Sequence, residues 1–271
     1  GIVMGTRMIA AAAALFCITS CNMENPLLTE SSNPYGAPAF DKIRNEHYLP
    51  AFKAGIEEAK AEIDAIVANP DAPDFRNTIE ALEYSGRTLD RVSAIFYNLM
   101  EADTDDRMQE IAEEISPLMT EYSMYVSLNK PLFERVKAVY MKKDSLGLAT
   151  DQERLLEETY RSFARNGANL SDEDKEIYSG YAEELSLATL QFSKNVLAAT
   201  NAYTLHITDS TDLAGLPGYV VDMAALAAKE RGLEGWVITL DYPSFGPFMK
   251  FSSVRDLRKE VYTAYMTRAV G

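Results

Sequence analysis

The sequence predicts a mainly α protein, a multi-helix array carrying one small two-stranded β ribbon. Three observations predict it. Apolar residues recur at three- and four-residue spacing through most of the chain. Cap and stop signals punctuate that pattern every few tens of residues. The period changes near Tyr203 and again near Trp236 to short β-branched and aromatic runs flanked by turn residues.

The elements follow in order. Pro50 suits the first turn of a helix through Phe52, Ile56, Ile63 and Ile66, which Asn69-Pro70-Asp71-Ala72-Pro73 ends. Asn77 with Glu80 forms a capping pair for a helix carrying Leu82, Leu89, Val92, Ile95 and Leu99 inward, closed by Asp103 to Asp106. A third helix holds Ile111, Ile115 and Leu118, is bent by Pro117 and continues to Leu128. Asn129 caps the next, with Pro131 in its first turn and Phe133, Val136 and Tyr140 facing the core, before Asp144 to Gly147 stops it. Thr150 and Glu153 make a capping box for a helix bearing Leu155, Leu156, Tyr160 and Phe163 that Gly167 ends.

Ser171 with Asp174 opens the longest helix, to about Thr200, with Ile177, Leu185, Leu190, Val196 and Leu197 among its apolar residues. Tyr203 to Ile207 and Trp236 to Leu240 form the ribbon, with an Ala-rich helix from Val220 to Arg231 between them. Ser253 to Ala269 is a final amphipathic helix through Leu257, Val261 and Tyr265.

The N-terminal residues read differently. Arg7 precedes the uncharged run Met8 to Ser20, which is too short to span a bilayer and fits a signal peptide over residues 1–20. Ile18-Thr19-Ser20-Cys21 resembles the bacterial lipobox. The expectation is a lipidated Cys21, a tether over residues 21–40, a body over residues 41–271, and an exported, periplasmic protein held to the membrane by its lipid anchor alone. Both cysteines, Cys17 and Cys21, lie in this segment, so no disulfide framework follows.

Composition narrows function. With 41 Asp and Glu against 26 Lys and Arg, the formal charge of -15 repels polyanions, which disfavours nucleic acid as a partner. Hydrophobic residues make up 47%, enough for a substantial core. The two histidines, His47 and His206, are far apart and form no helical pair with a following glutamate, the arrangement that puts two imidazoles and a base on one zinc. His47 reads as a packed or capping residue at a helix start and His206 as an alternating strand residue. Gly-x-Ser-x-Gly is absent, and Gly215-Leu216-Pro217-Gly218 and Gly232-Leu233-Glu234-Gly235 lack the lysine or third glycine of phosphate loops, so both read as turns. The pairs Glu57-Glu58, Glu113-Glu114, Glu157-Glu158 and Glu183-Glu184 point about 100° apart on helices and read as solvated faces. No catalytic, cofactor or metal residue is assigned, and Cys21 is the one candidate modification site.

Short words in order carry a resemblance. Asn33-Pro34-Tyr35-Gly36-Ala37-Pro38, Phe40-Asp41-Lys42-Ile43 and Glu46-His47-Tyr48-Leu49-Pro50-Ala51-Phe52 resemble the opening of bacterial peptidyl-dipeptidases. These belong with oligopeptidase A and thimet oligopeptidase among the helical zinc peptidases. Gly167-Ala168-Asn169-Leu170, Asn195-Val196-Leu197, Gly232 to Val237, Tyr242-Pro243-Ser244 and Pro247-Phe248-Met249 continue it. The resemblance implies the N-terminal portion of a channel-forming peptidase that hydrolyses short peptides and releases C-terminal dipeptides, with zinc in the complete enzyme. It implies a His-Glu-x-x-His helix in a catalytic part this sequence lacks, so the chain alone is expected to be inactive and to bind no zinc. The competing expectation is a non-catalytic peptide-binding or scaffold lipoprotein.

Overall fold

The structure, a computed structural model, describes residues 25–270; the expected signal peptide and Cys21 lie outside them. Helices dominate, and the two short strands pair as the ribbon requires.

Helix α1 (Asn45–Ala68) is the spine. It begins five residues before Pro50, correcting the expectation that Pro50 lies in the first turn. Two features start it early: the Arg44 N–H donates to His47 Nδ1 at 3.0 Å, and Tyr48 is already buried. Pro50 leaves the Glu46 carbonyl without its helical donor, but Glu46 is exposed, where water can serve instead.

The next segment also differs from expectation. Asp74, not Asn77, is the cap: it accepts from the Asn77 N–H at 2.7 Å while Asn77 Oδ1 accepts from the Asp74 N–H at 3.0 Å. A π-helical turn, Phe75–Glu80, runs into the short α2 (Ala81–Glu83). Gly86, left-handed at φ 73° and donating to Glu62 Oε2 at 2.6 Å, separates it from α3 (Arg87–Ala102), so one expected helix is two.

Helix α4 (Asp106–Ser127) runs unbroken through Pro117, and α5 (Lys130–Tyr140) starts at the expected cap, where Asn129 Oδ1 accepts from the Leu132 N–H at 3.0 Å. Helix α6 (Thr150–Arg165) is capped one residue earlier than expected. Gln152, not Glu153, reaches back, accepting from the Ala149 N–H at 3.1 Å. Its end is a Schellman turn: Gly167 sits at φ 92° and the Ala168 N–H donates to the Phe163 carbonyl at 3.1 Å.

Two cores divide this helical body. Phe52 and Ile56 of α1 meet Leu89, Val92 and Phe96 of α3 and Ile111 and Ile115 of α4 in the first. Phe96 stands edge-on to Tyr48 at 4.9 Å and to Phe52 at 5.5 Å. Ile63 and Ile66, further along α1, join Ile79, Leu132, Val136, Leu156 and Phe163 in the second. Gly55 lets α1 and α3 touch, since a Cβ there would lie 3.1 Å from Leu89 Cα. Within the stretch read as a tether, Leu27 is only 1% exposed and belongs to the first core. Asn25 Nδ2 donates to the His47 carbonyl at 2.8 Å.

Helix α7 (Asp172–Ala202) has 31 residues and starts at Ser171, whose Oγ accepts from the Asp174 N–H at 3.1 Å. It packs on α4, and none of its residues is buried.

Beyond it lies a smaller module. Strands β1 (Leu205–Ile207) and β2 (Trp236–Ile238) pair antiparallel with His206 opposite Val237, and both are shorter than the expected runs. Gly235, at φ 87°, has the Ile207 carbonyl 2.4 Å from where a Cβ would be, so a side chain there would block the ribbon. Helix α8 (Gly218–Glu230) covers β2, and α10 (Arg255–Met266) inserts Val261. Between them is an element the sequence reading omits, α9 (Tyr242–Phe251), anchored by the buried Phe248. Its prolines look like turn signals. Pro243 nevertheless lies in a first turn, where a helix tolerates it.

Candidate functional site

The two histidines lie in different regions. His47 caps α1, its Nδ1 an acceptor, as the sequence suggested for that position. His206, exposed on β1, donates from Nε2 to the Glu234 carbonyl at 2.7 Å, just before β2. Each is occupied by a bond to the backbone, and among the described residues no group of three His, Cys, Asp or Glu is arranged to hold a metal.

A groove of about 530 Å³ lies between the C-terminal end of α3, the N-terminal half of α4 and the C-terminal half of α7. Tyr97, Met100, Leu190 and Leu197 give it an apolar wall, and Glu101, Gln109 and Lys194 give it a polar margin. Lys194 is drawn to Glu113, and the Ser116 and Ser186 hydroxyls share a hydrogen bond of 2.7 Å. A serine paired with a serine has no base to activate it. This lining suits contact with apolar side chains rather than bond cleavage.

The electrostatics agree. Burial pushes the Tyr97 hydroxyl up, and burial with Asp90 and Glu62 does the same to Tyr122. Tyr125, hydrogen-bonded to Asp64, is pushed up to about 12, as is Tyr203, by burial beside Glu260. Asp105 is lowered by the Asn45 amide and the Met108 N–H, Glu157 by Lys143, and Asp209 by Thr211. Each of these shifts moves a group away from neutrality, whereas a general acid or base works best with a pKa near the operating pH.

Neither the groove nor the openness of α7 was assigned from sequence. The signal was there: the apolar residues of α7 fall on two opposite stripes, so a single packing partner could cover only one. The acidic pairs behave as expected. Glu57, Glu58, Glu113, Glu114, Glu183 and Glu184 are exposed, and Glu157 and Glu158 are half-buried in ion pairs with Lys143, Arg154 and Arg161.

No family model matches the chain. Among curated proteins it is 39% identical over 246 residues to the dipeptidyl carboxypeptidase of Escherichia coli, covering 90% of this chain and 36% of that one. It is 32% identical over 247 residues to the oligopeptidase A of the same organism, covering 91% and 36%. An organellar oligopeptidase A of Arabidopsis thaliana is 30% identical over 255 residues, covering 89% and 32%. The chain therefore spans about a third of the length of the curated relatives it matches.

Proposed function

We propose, for a chain homologous over nine-tenths of its length to the dipeptidyl carboxypeptidases and oligopeptidases A, that it serves as the N-terminal helical portion of a peptidase acting on short peptides. The single observation that carries this is the 39% identity over 246 residues to a dipeptidyl carboxypeptidase. That identity also favours release of C-terminal dipeptides over internal cleavage. Catalysis in this class needs an activated water and a stabilised oxyanion, which zinc supplies when bound. His47 and His206 do not fit such a centre, because their bonds to Arg44 and Glu234 hold them in separate regions. The metal is then held by a part of the enzyme outside this chain.

The test is a chimera in which this chain replaces the matching third of the E. coli dipeptidyl carboxypeptidase. It should release dipeptides from an N-acetylated oligopeptide and stop when a chelator is added, while the chain alone releases none. A folded chimera without activity, or a chain active alone, overturns the reading.

The lipobox supports an exported, periplasmic protein anchored through Cys21. In a diderm bacterium, palmitate label should enter the wild type and not Cys21→Ala. Equal fractionation of the two without label sinks this part alone. The groove between α3, α4 and α7 favours a second reading, a peptide-binding lipoprotein without catalysis. Saturable binding of an apolar oligopeptide by the chain alone, together with an inactive chimera, would make it the better account.

A further inference from the structure

Helix α7 presents an apolar stripe to solvent. Ile177, Tyr181, Leu185, Ala188 and Phe192 are four, four, three and four residues apart, the spacing of one continuous helical face about 22 Å long at 1.5 Å per residue. Their exposures are 53% for Ile177, 69% for Tyr181, 68% for Leu185 and 58% for Phe192, and Ala188 is exposed as well. The opposite side of the helix is the one in use: Ser186 bonds Ser116, Leu190 packs on the first core, and Lys194 reaches Glu113. The helix is thus a middle layer with one side covered.

Charge around the stripe selects among occupants. The basic residues of α7 are Lys175 and Lys194, and both turn toward α4, to the Leu128 carbonyl and to Glu113. Glu173 and Glu184 border the open side, both exposed and with no cation between them. A second copy would bring either the same acids or an uncharged half against them, on a chain of formal charge -15, so self-pairing gains nothing electrostatically. A partner stripe flanked by Lys or Arg would gain at each border, as the flanking positions of paired helices do.

The matched relatives carry nearly two-thirds of their length outside the region this chain matches. We propose that the open stripe of α7 is the docking face for an apolar, basic-flanked helix from that remaining part of the peptidase. The inference rests on the reading that the chain works as a portion of such an enzyme, and it names the surface through which the portions join.

Cysteine labelling tests it, because Cys17 and Cys21 are the two cysteines of the sequence. The full chain carrying Cys17→Ala and Cys21→Ala receives Leu185→Cys, or Met141→Cys as a control at a site 73% exposed and on a different helix end. Maleimide labelling is timed in this chain and in the same chain joined to the remaining part of the E. coli dipeptidyl carboxypeptidase, its own cysteines replaced. Docking slows Leu185→Cys at least about tenfold in the joined protein and leaves Met141→Cys unchanged, since buried sites react only through local opening. Tyr181→Cys, one turn earlier, repeats the reading independently. Equal rates at Leu185→Cys in both proteins overturn the inference, and if that joined protein still releases dipeptides, the functional reading survives. Protection without dipeptide release does the reverse. Slow labelling in the separate chain, with a dimer in sedimentation, overturns it in favour of a second copy.

Discussion

The two longest helices, α1 and α7, are alike in sequence texture and opposite in circumstance. Helix α1 buries eight of its 24 residues and links both cores of the body. Helix α7 is longer, at 31 residues, also apolar at helical spacing, and buries none. The difference lies in the neighbours: α1 is flanked by α3, α4 and α5, while α7 leans mainly on α4. A periodic pattern thus states that a face wants covering, and topology decides whether it is covered.

Mutation should make that contrast measurable. The largest effect is expected at Phe52→Ala, which empties a fully buried site against Phe96 and should cost about 3–5 kcal/mol in urea unfolding. Its counterpart on α7, Phe192→Ala, should change stability by less than about 0.5 kcal/mol in the separate chain. A large loss at Phe192 would mean that α7 is already covered, and the comparison would break.

Glycines sharpen it. Gly55→Leu must push α1 from the Leu89 backbone, so destabilisation of about 1–3 kcal/mol is expected. Gly180, inside α7, has nothing within 4 Å of its would-be Cβ, and Gly180→Ala should stabilise by about 0.5–1 kcal/mol through the lost freedom of the unfolded chain. The sign of the change, read from thermal midpoints, separates a packed helix from an open one.

The smallest effect concerns α4, which touches both long helices. Its cap Asp105 accepts from the Met108 N–H at 2.7 Å and from the Asn45 amide at 3.0 Å, and these bonds lower its pKa in the folded state. A lowered carboxyl contributes stability that is complete above the unfolded value of about 3.8 and is lost as pH falls through the folded one. Asp105→Ala should therefore destabilise at neutral pH, and the gap to wild type should narrow below pH 3.8. A gap independent of pH would remove the linkage.

Much of the fold was legible because local rules and packing agree there. Asn129 with Pro131, and Ser171 with Asp174, mark their helix starts in sequence and in space, since side-chain caps depend on neighbours three residues away. Where tertiary packing overrules the local signal, the reading slips. Tyr48 draws α1 past Pro50, and Phe248 holds α9 helical through two prolines that suggest turns. The candidate groove was not legible, since Tyr97, Met100 and Leu197 come from separate helices and meet only through the packing of α3, α4 and α7. The capping role of His47 was legible because its partner, the Arg44 N–H, lies three residues away, whereas the bond of His206 to the Glu234 carbonyl joins residues 28 apart and forms only once the strands pair.

The buried Leu27 sets the length of a leash. With Asn25 pinned to the His47 carbonyl and the Leu27 carbonyl held by Arg91 at 3.4 Å, the body starts four peptide units after Cys21. Those units reach at most about 14 Å, whatever their conformation. If Cys21 carries a lipid, the protein does not float at the end of a long string. It would be moored like a boat on a short painter, with the start of α1 held near the bilayer.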